Sequence, residues 1–93
     1  MSVLTQQELS SFLQSGTKWH LQDGQLIREW TFLNFKQAVA FVNRIADEAE
    51  SANHHPDIDI RYNKVRLALV SHDAGGITAR DSRMASRIDG LPE

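Results

Sequence analysis

At 93 residues, 41% of them apolar, with a net charge of −2 and no cysteine, the chain is sized for one domain over residues 1–93. It excludes thiolate metal sites, disulfide staples and cysteine nucleophiles. Charges of both signs mix along the chain without a basic stripe, so direct nucleic-acid binding is not expected.

The apolar stretches are short and charge-interrupted, well below the roughly 20 residues of a membrane helix. No basic and apolar leader follows Met1, so the expectation is a soluble cytoplasmic protein without a membrane partner. Leu4-Thr5-Gln6-Gln7-Glu8-Leu9 reads as a helix start: Thr5 caps, Glu8 completes a capping box, and Leu4 with Leu9 forms a hydrophobic staple. Leu9, Phe12 and Leu13 share one face, and Gly16 suits a left-handed stop. Trp19 to Leu21 and Leu26 to Phe32 flank a turn at Asp23-Gly24, a strong hairpin signal, with Leu26, Trp30 and Phe32 on one side. Arg28 interrupts that side, and its aliphatic stem suits the edge of a core.

Asn34 followed by Gln37 offers a second cap, after which Phe35, Ala38, Val39, Val42, Ile45, Ala46 and Ala49 recur on one helical face. That helix must end before Pro56, because the residue ahead of proline is driven out of the helical region. Ile58, Ile60 and Tyr62 alternate, Asn63-Lys64 supplies a turn, and Val65, Leu67 and Leu69 alternate again. Continued alternation places His72 on the face opposite those three apolar residues. Gly75-Gly76 reads as a flexible break, and Thr78 with Asp81 signs a third helix through Met84, Ala85 and Ile88 that Gly90 and Pro92 close. The order α-β-β-α-β-β-α predicts an α+β fold, a four-stranded antiparallel sheet with three helices packed on one face. Self-association then protects the other face and the edges.

His54, His55 and His72 fall where secondary elements end, and imidazole is the side chain suited to moving protons either way near neutral pH. As a metal site the set is weak, because adjacent histidines diverge on an extended chain and no helical i, i+4 spacing supports them. Taken alone, the His-His-Pro corner is equally a polar loop capping a helix C-terminus. Ser71 precedes His72 without a nucleophile elbow, which disfavours serine catalysis. Asp81 either orients a histidine or completes a capping box. Gly75-Gly76 matches no phosphate-binding pattern, Trp19 and Trp30 suit a core, His20 suits a wet surface, and Glu50 sits where it could face the histidine corner.

Taken in order, Glu50-x-x-Asn53-His54-His55-Pro56, Tyr62-Asn63-Lys64-Val65, Leu69-x-Ser71-His72 and Gly76-Ile77-Thr78-x-x-Asp81 resemble the pterin-4a-carbinolamine dehydratase family over nearly the whole length. The resemblance implies elimination of water from 4a-hydroxytetrahydropterin to give quinonoid dihydropterin, in tetrahydrobiopterin recycling, without metal or organic cofactor. It implies that His54 and His72 are general acids and that His55 binds substrate with some base character. Asn53, Val70, Ser71 and Asp73 would line the pterin pocket, and Asp81 would support His72. Implied partners are an aromatic amino acid hydroxylase that supplies substrate and further copies of the chain in a homodimer or homotetramer. The alternative is a non-catalytic protein-binding module, a transcriptional coactivator or hydroxylase partner. Asp57-Ile58 departs from members with an aromatic residue there, and Ser71 stands where threonine is frequent.

Overall fold

In this computed structural model, which describes residues 2–92, the first helix starts where its capping box lies. Thr5 Oγ1 accepts from Glu8 N at 3.1 Å and Glu8 Oε1 accepts from Thr5 N at 2.8 Å, so α1 spans Gln6–Leu13. The other elements are β1 (His20–Gln22), β2 (Gln25–Thr31), α2 (Phe35–Ala52), β3 (Asp57–Arg61), β4 (Lys64–Leu69), a 3₁₀ turn (His72–Ala74) and α3 (Ala79–Asp89). Asp23 and Gly24, at φ 52° and 75°, form the two-residue turn that joins β1 to β2.

The strands lie in the order β1-β2-β4-β3, every neighbouring pair antiparallel. Leu26 opposes Leu69, Arg28 opposes Leu67 and Trp30 opposes Val65, so these side chains share one face. Onto that face pack Ala38, Phe41 and Ile45 of α2 and Met84, Ala85 and Ile88 of α3, with Leu9, Phe12 and Leu13 of α1 partly buried against them. The expected α+β architecture, with its helices on one side of the sheet, is therefore the one observed.

The stripe of α2 differs from the sequence expectation. Its buried residues are Ala38, Phe41, Ile45 and Ala49, while Phe35 and Ala46 are exposed and Val39 and Val42 only partly covered. Phe41 is fully buried and lies between two aromatic neighbours, its ring 4.9 Å from that of Trp30 and 5.1 Å from that of Phe32. Spacings of three and four residues from Ala38 through Phe41 to Ile45 set the face; the flanking apolar residues sit a quarter-turn away.

A second difference lies in the β3–β4 hairpin. β3 stops at Arg61, and the turn is Tyr62-Asn63, with Tyr62 at φ 55° and largely exposed. Asn63 sets this turn by donating from Nδ2 to Phe32 O at 2.8 Å, a bond that ties it to the end of β2. Lys64 is already strand.

Arg28 is 6% exposed, and its guanidinium lies 4.5 Å from the Trp30 ring centroid. It pairs with Asp89, which also accepts from Trp19 Nε1 at 2.8 Å and from Thr17 Oγ1 at 2.9 Å. These contacts pin the C-terminal end of α3 to the sheet. Trp19 and Trp30 are core residues, and His20 is exposed. On the opposite sheet face Ile27 and Ala68 form a buried cross-strand pair, followed by the charged row of Glu29, Arg66 and Asp59. Among the described residues no helix is long and apolar enough to cross a membrane.

Candidate active site

The site is assembled where α2 ends. Asn53 takes the left-handed conformation (φ 50°, ψ 42°) and its N–H closes onto Ala49 O and Glu50 O, which makes it the C-cap of the helix. Asparagine is one of the few non-glycine residues that tolerates this conformation. The chain therefore leaves the helix sharply, and Pro56 keeps it from resuming. His54 turns inward, its side chain 10% exposed, and His55 outward, 56% exposed. His55 Nε2 meets Glu50 Oε2 at 2.5 Å, so Glu50 does face the histidine corner.

His54 Nε2 lies 2.5 Å from Oδ1 of Asp81. The Asp81 side chain is fully buried, and Oδ2 accepts from Ser71 Oγ and from Thr78 N, each at 2.8 Å. Ser71 Oγ and Thr78 Oγ1 are 2.9 Å apart. Asp81 thus completes the capping box of α3 and holds a histidine with its other oxygen, so the two roles read from sequence coexist. Asp81 accepts two hydrogen bonds on one oxygen and meets an imidazole with the other, so both oxygens of its side chain are engaged. With Nε2 engaged by Asp81, Nδ1 is the ring nitrogen that this contact does not use.

The sequence expectation tied Asp81 to His72; the structure ties it to His54 instead. His72 also departs from its expected strand position. β4 ends at Leu69, Val70 is partly buried, and Ser71 forms an isolated bridge to Gly76 that closes a tight loop. Gly75, at φ 78°, reverses the chain, and Ser71 O accepts from Ala74 N, Gly75 N and Gly76 N. Gly75-Gly76 is therefore a hydrogen-bonded closure rather than a loose break. His72 opens the 3₁₀ turn and is exposed.

Both neighbours of His72 are anchored to the first turn of α3, Ser71 through Asp81 and Asp73 through Arg80, whose Nη2 donates to Asp73 Oδ1 at 2.5 Å. That hydrogen bond, reinforced by the charge of the guanidinium, holds the Asp73 carboxyl below the usual carboxylate range. One turn of helix, Thr78 to Asp81, thereby orients His54 directly and the His72 loop on both sides. Sequence reasoning overlooked Arg80, because a pairing across a closed loop follows no fixed spacing. Among the described residues no cluster of three or more histidine and carboxylate side chains is placed to hold a metal ion.

The fold is an α+β domain with a helix-covered antiparallel sheet, and its long helix ends on paired histidines, one of them braced by a buried carboxylate. Within that fold class the chain belongs to the family described as Pterin 4 alpha carbinolamine dehydratase, whose sequence profile matches residues 2–91. It is 52% identical over 91 residues, covering 98% of this chain and 99% of the other, to a protein of Acidobacterium capsulatum provisionally named pterin-4-alpha-carbinolamine dehydratase. A similarly named protein of Chloroflexus aurantiacus is 47% identical over 89 residues, 96% of each chain. Among solved structures, one titled transcriptional coactivator/pterin dehydratase, from Brucella melitensis, superposes with a TM-score of 0.88 at 30% identity, covering 95% of this chain and 96% of that one. A pterin dehydratase-like protein titled a RuBisCO assembly factor in the alpha-carboxysome shares the fold, with a TM-score of 0.62 at 22% identity over 78% of this chain and 84% of that one.

Proposed function

We propose that this protein dehydrates 4a-hydroxytetrahydropterin to quinonoid dihydropterin by histidine acid–base catalysis. The observation that carries the reading is the buried Asp81 carboxylate bonded to His54 Nε2, which fixes the ring and leaves Nδ1 for chemistry. A scaffold has little use for such a brace; a proton-transfer site depends on one.

Hydroxide is a poor leaving group, so the C4a–O bond breaks as an acid delivers a proton to the hydroxyl, which departs as water. The lone pair of the adjacent ring nitrogen forms the new C=N bond, and the proton on that nitrogen passes to a base. One proton is given and one taken, so the net proton count of the protein is unchanged, and proton exchange with solvent resets the acid and the base. We assign the acid role to His54 and His72, and substrate binding with base character to His55, which Glu50 orients. Asn53, Val70, Ser71 and Asp73 are assigned to the pocket wall. Substrate supply by an aromatic amino acid hydroxylase and a homodimeric or homotetrameric working unit complete the proposal. The open outer edges of β1 and β3 support the latter.

The alternative, a protein-binding module, is favoured by the exposure of Leu33 and Phe35 at the start of α2, 78% and 51%. Dehydration of freshly generated carbinolamine by the purified protein separates the two. Catalysis predicts acceleration that falls by about 10²-fold or more in both His54→Ala and His72→Ala, each still folded by circular dichroism. Wild-type protein that leaves the spontaneous rate unchanged would sink the enzyme reading.

A further inference from the structure

Beyond the histidine corner, α3 carries three arginines at positions i, i+3 and i+7, which places Arg80, Arg83 and Arg87 along one side of the helix. With Ala52, His54 and Met84 they line a cleft of about 120 Å³ between α3 and the end of α2. Half of the six lining residues are thus guanidinium groups, in a chain whose net charge is −2. A cleft concentrates the field of the groups that line it.

The charges in and around the cleft can be paired off. Arg80 meets Asp73 at 2.5 Å, Arg87 meets Glu48 at 2.6 Å, and His54 meets Asp81 at 2.5 Å. Arg83 has no carboxylate within ion-pair distance among the described residues, so its guanidinium is the one in the cleft without an ionic partner. A second observation points the same way: Arg80 Nε is buried and has no hydrogen-bond acceptor among the described residues. Buried guanidinium donors are ordinarily satisfied. A guanidinium fork matches the oxygens of phosphate or carboxylate, and one such group would meet both the unpaired Arg83 guanidinium and the unmet Arg80 donor.

The size of the cleft limits the occupant. Pockets for whole drug-sized ligands run to roughly 300 Å³ and above, so this one suits a single small group and not a second ring system. His54 belongs both to the cleft and to the proposed catalytic pocket. A group seated here therefore lies one imidazole away from a bound pterin, within reach of a short side chain. Resting on the dehydratase reading, we infer that Arg80, Arg83 and Arg87 form an anion subsite that selects pterins whose side chain bears a phosphate or carboxylate.

The test compares 6-hydroxymethyl-7,8-dihydropterin with its monophosphate ester by calorimetry, in wild-type protein and in Arg83→Met, whose exposed position leaves folding intact. Inorganic phosphate, followed through the backbone amides of α3 by NMR, is the direct probe of the cleft. The inference expects the ester to bind about tenfold more tightly than the alcohol in the wild type. That advantage is lost in Arg83→Met and weakens with added salt. Phosphate should shift amides of residues 80–87 in the wild type only. Equal affinities in the wild type, an advantage that survives Arg83→Met, or phosphate captured at α3 without preference for the ester would each overturn it. If the protein binds neither pterin, the selection of charged pterins fails, while the carbinolamine assay still decides the dehydratase reading. The phosphate titration then still decides whether an anion site exists, and shifts scattered over the surface would remove it.

Discussion

The fully buried carboxylate of Asp81 bonds His54 across 27 residues of sequence, at 2.5 Å from Nε2. The same carboxylate caps α3, so helix formation and histidine alignment are one event. Strain or loss at the cap reaches the catalytic candidate without an intermediary.

Asp81→Asn should therefore separate shape from charge. The amide keeps the size of the side chain but replaces one of two oxygens with a donor, although Ser71 and Thr78 donate to one and His54 meets the other. Stability should fall by about 2 kcal/mol in urea melts, the cost of mismatching buried hydrogen bonds. Dehydration should slow by about 10²-fold, as expected when a histidine loses the partner that sets its tautomer. Nitrogen chemical shifts of the His54 ring report the tautomer independently of turnover. A ring and a rate both unaltered would show that Asp81 serves the helix alone.

Asn53 tests whether a cap residue also touches ligand. The left-handed backbone at this position favours glycine and asparagine, and alanine meets a steric cost of about 1 kcal/mol. Asn53→Gly should retain wild-type stability, whereas Asn53→Ala should lose about 1 kcal/mol. Both should raise KM to a similar extent if the amide lines the pterin pocket. A KM unchanged in Asn53→Gly would leave Asn53 with the capping role only.

The local signals in the sequence were the readable ones. Thr5, Asn34 and Thr78 each stand where a helix begins, and Asp23-Gly24 where a hairpin turns, because caps and tight turns are decided by residues three or four apart. The paired histidines were legible as the corner at the exit of α2, and Glu50 as a neighbour of that corner. The partner of His54 was not, because nothing in the local pattern of α3 names a residue 27 positions earlier. Alternation also misplaced His72: it assumes a strand, and the Ser71–Gly76 bridge ends the strand geometry before His72 is reached. Phe41 was missed for a different reason. A helix with apolar residues on three sides gives several plausible stripes, and only the sheet face of Trp30 selects one.

The loop that carries His72 should respond to acid in a defined direction. Asp73 has its carboxyl held below the usual range, first by the hydrogen bond from Arg80 and then by the charge of the guanidinium. A carboxylate whose folded value is depressed contributes its stabilisation above the unfolded value and loses it as pH falls through the folded one. For Asp73 that window lies below about pH 4. Between pH 5 and 8 the Asp73–Arg80 pair should therefore stay intact, and the 3₁₀ turn with it. Because the pair is exposed to solvent, its effect on global stability is screened, and the titration itself is the sensitive readout. Carboxyl carbon shifts should give Asp73 a midpoint below that of a free aspartate, and Arg80→Gln should move it upward. The same variant should broaden the backbone signals of residues 72–75, since one of the two anchors beside His72 is gone. A midpoint that does not move in Arg80→Gln would mean that the pair does not persist in solution, and that Ser71 alone positions the loop.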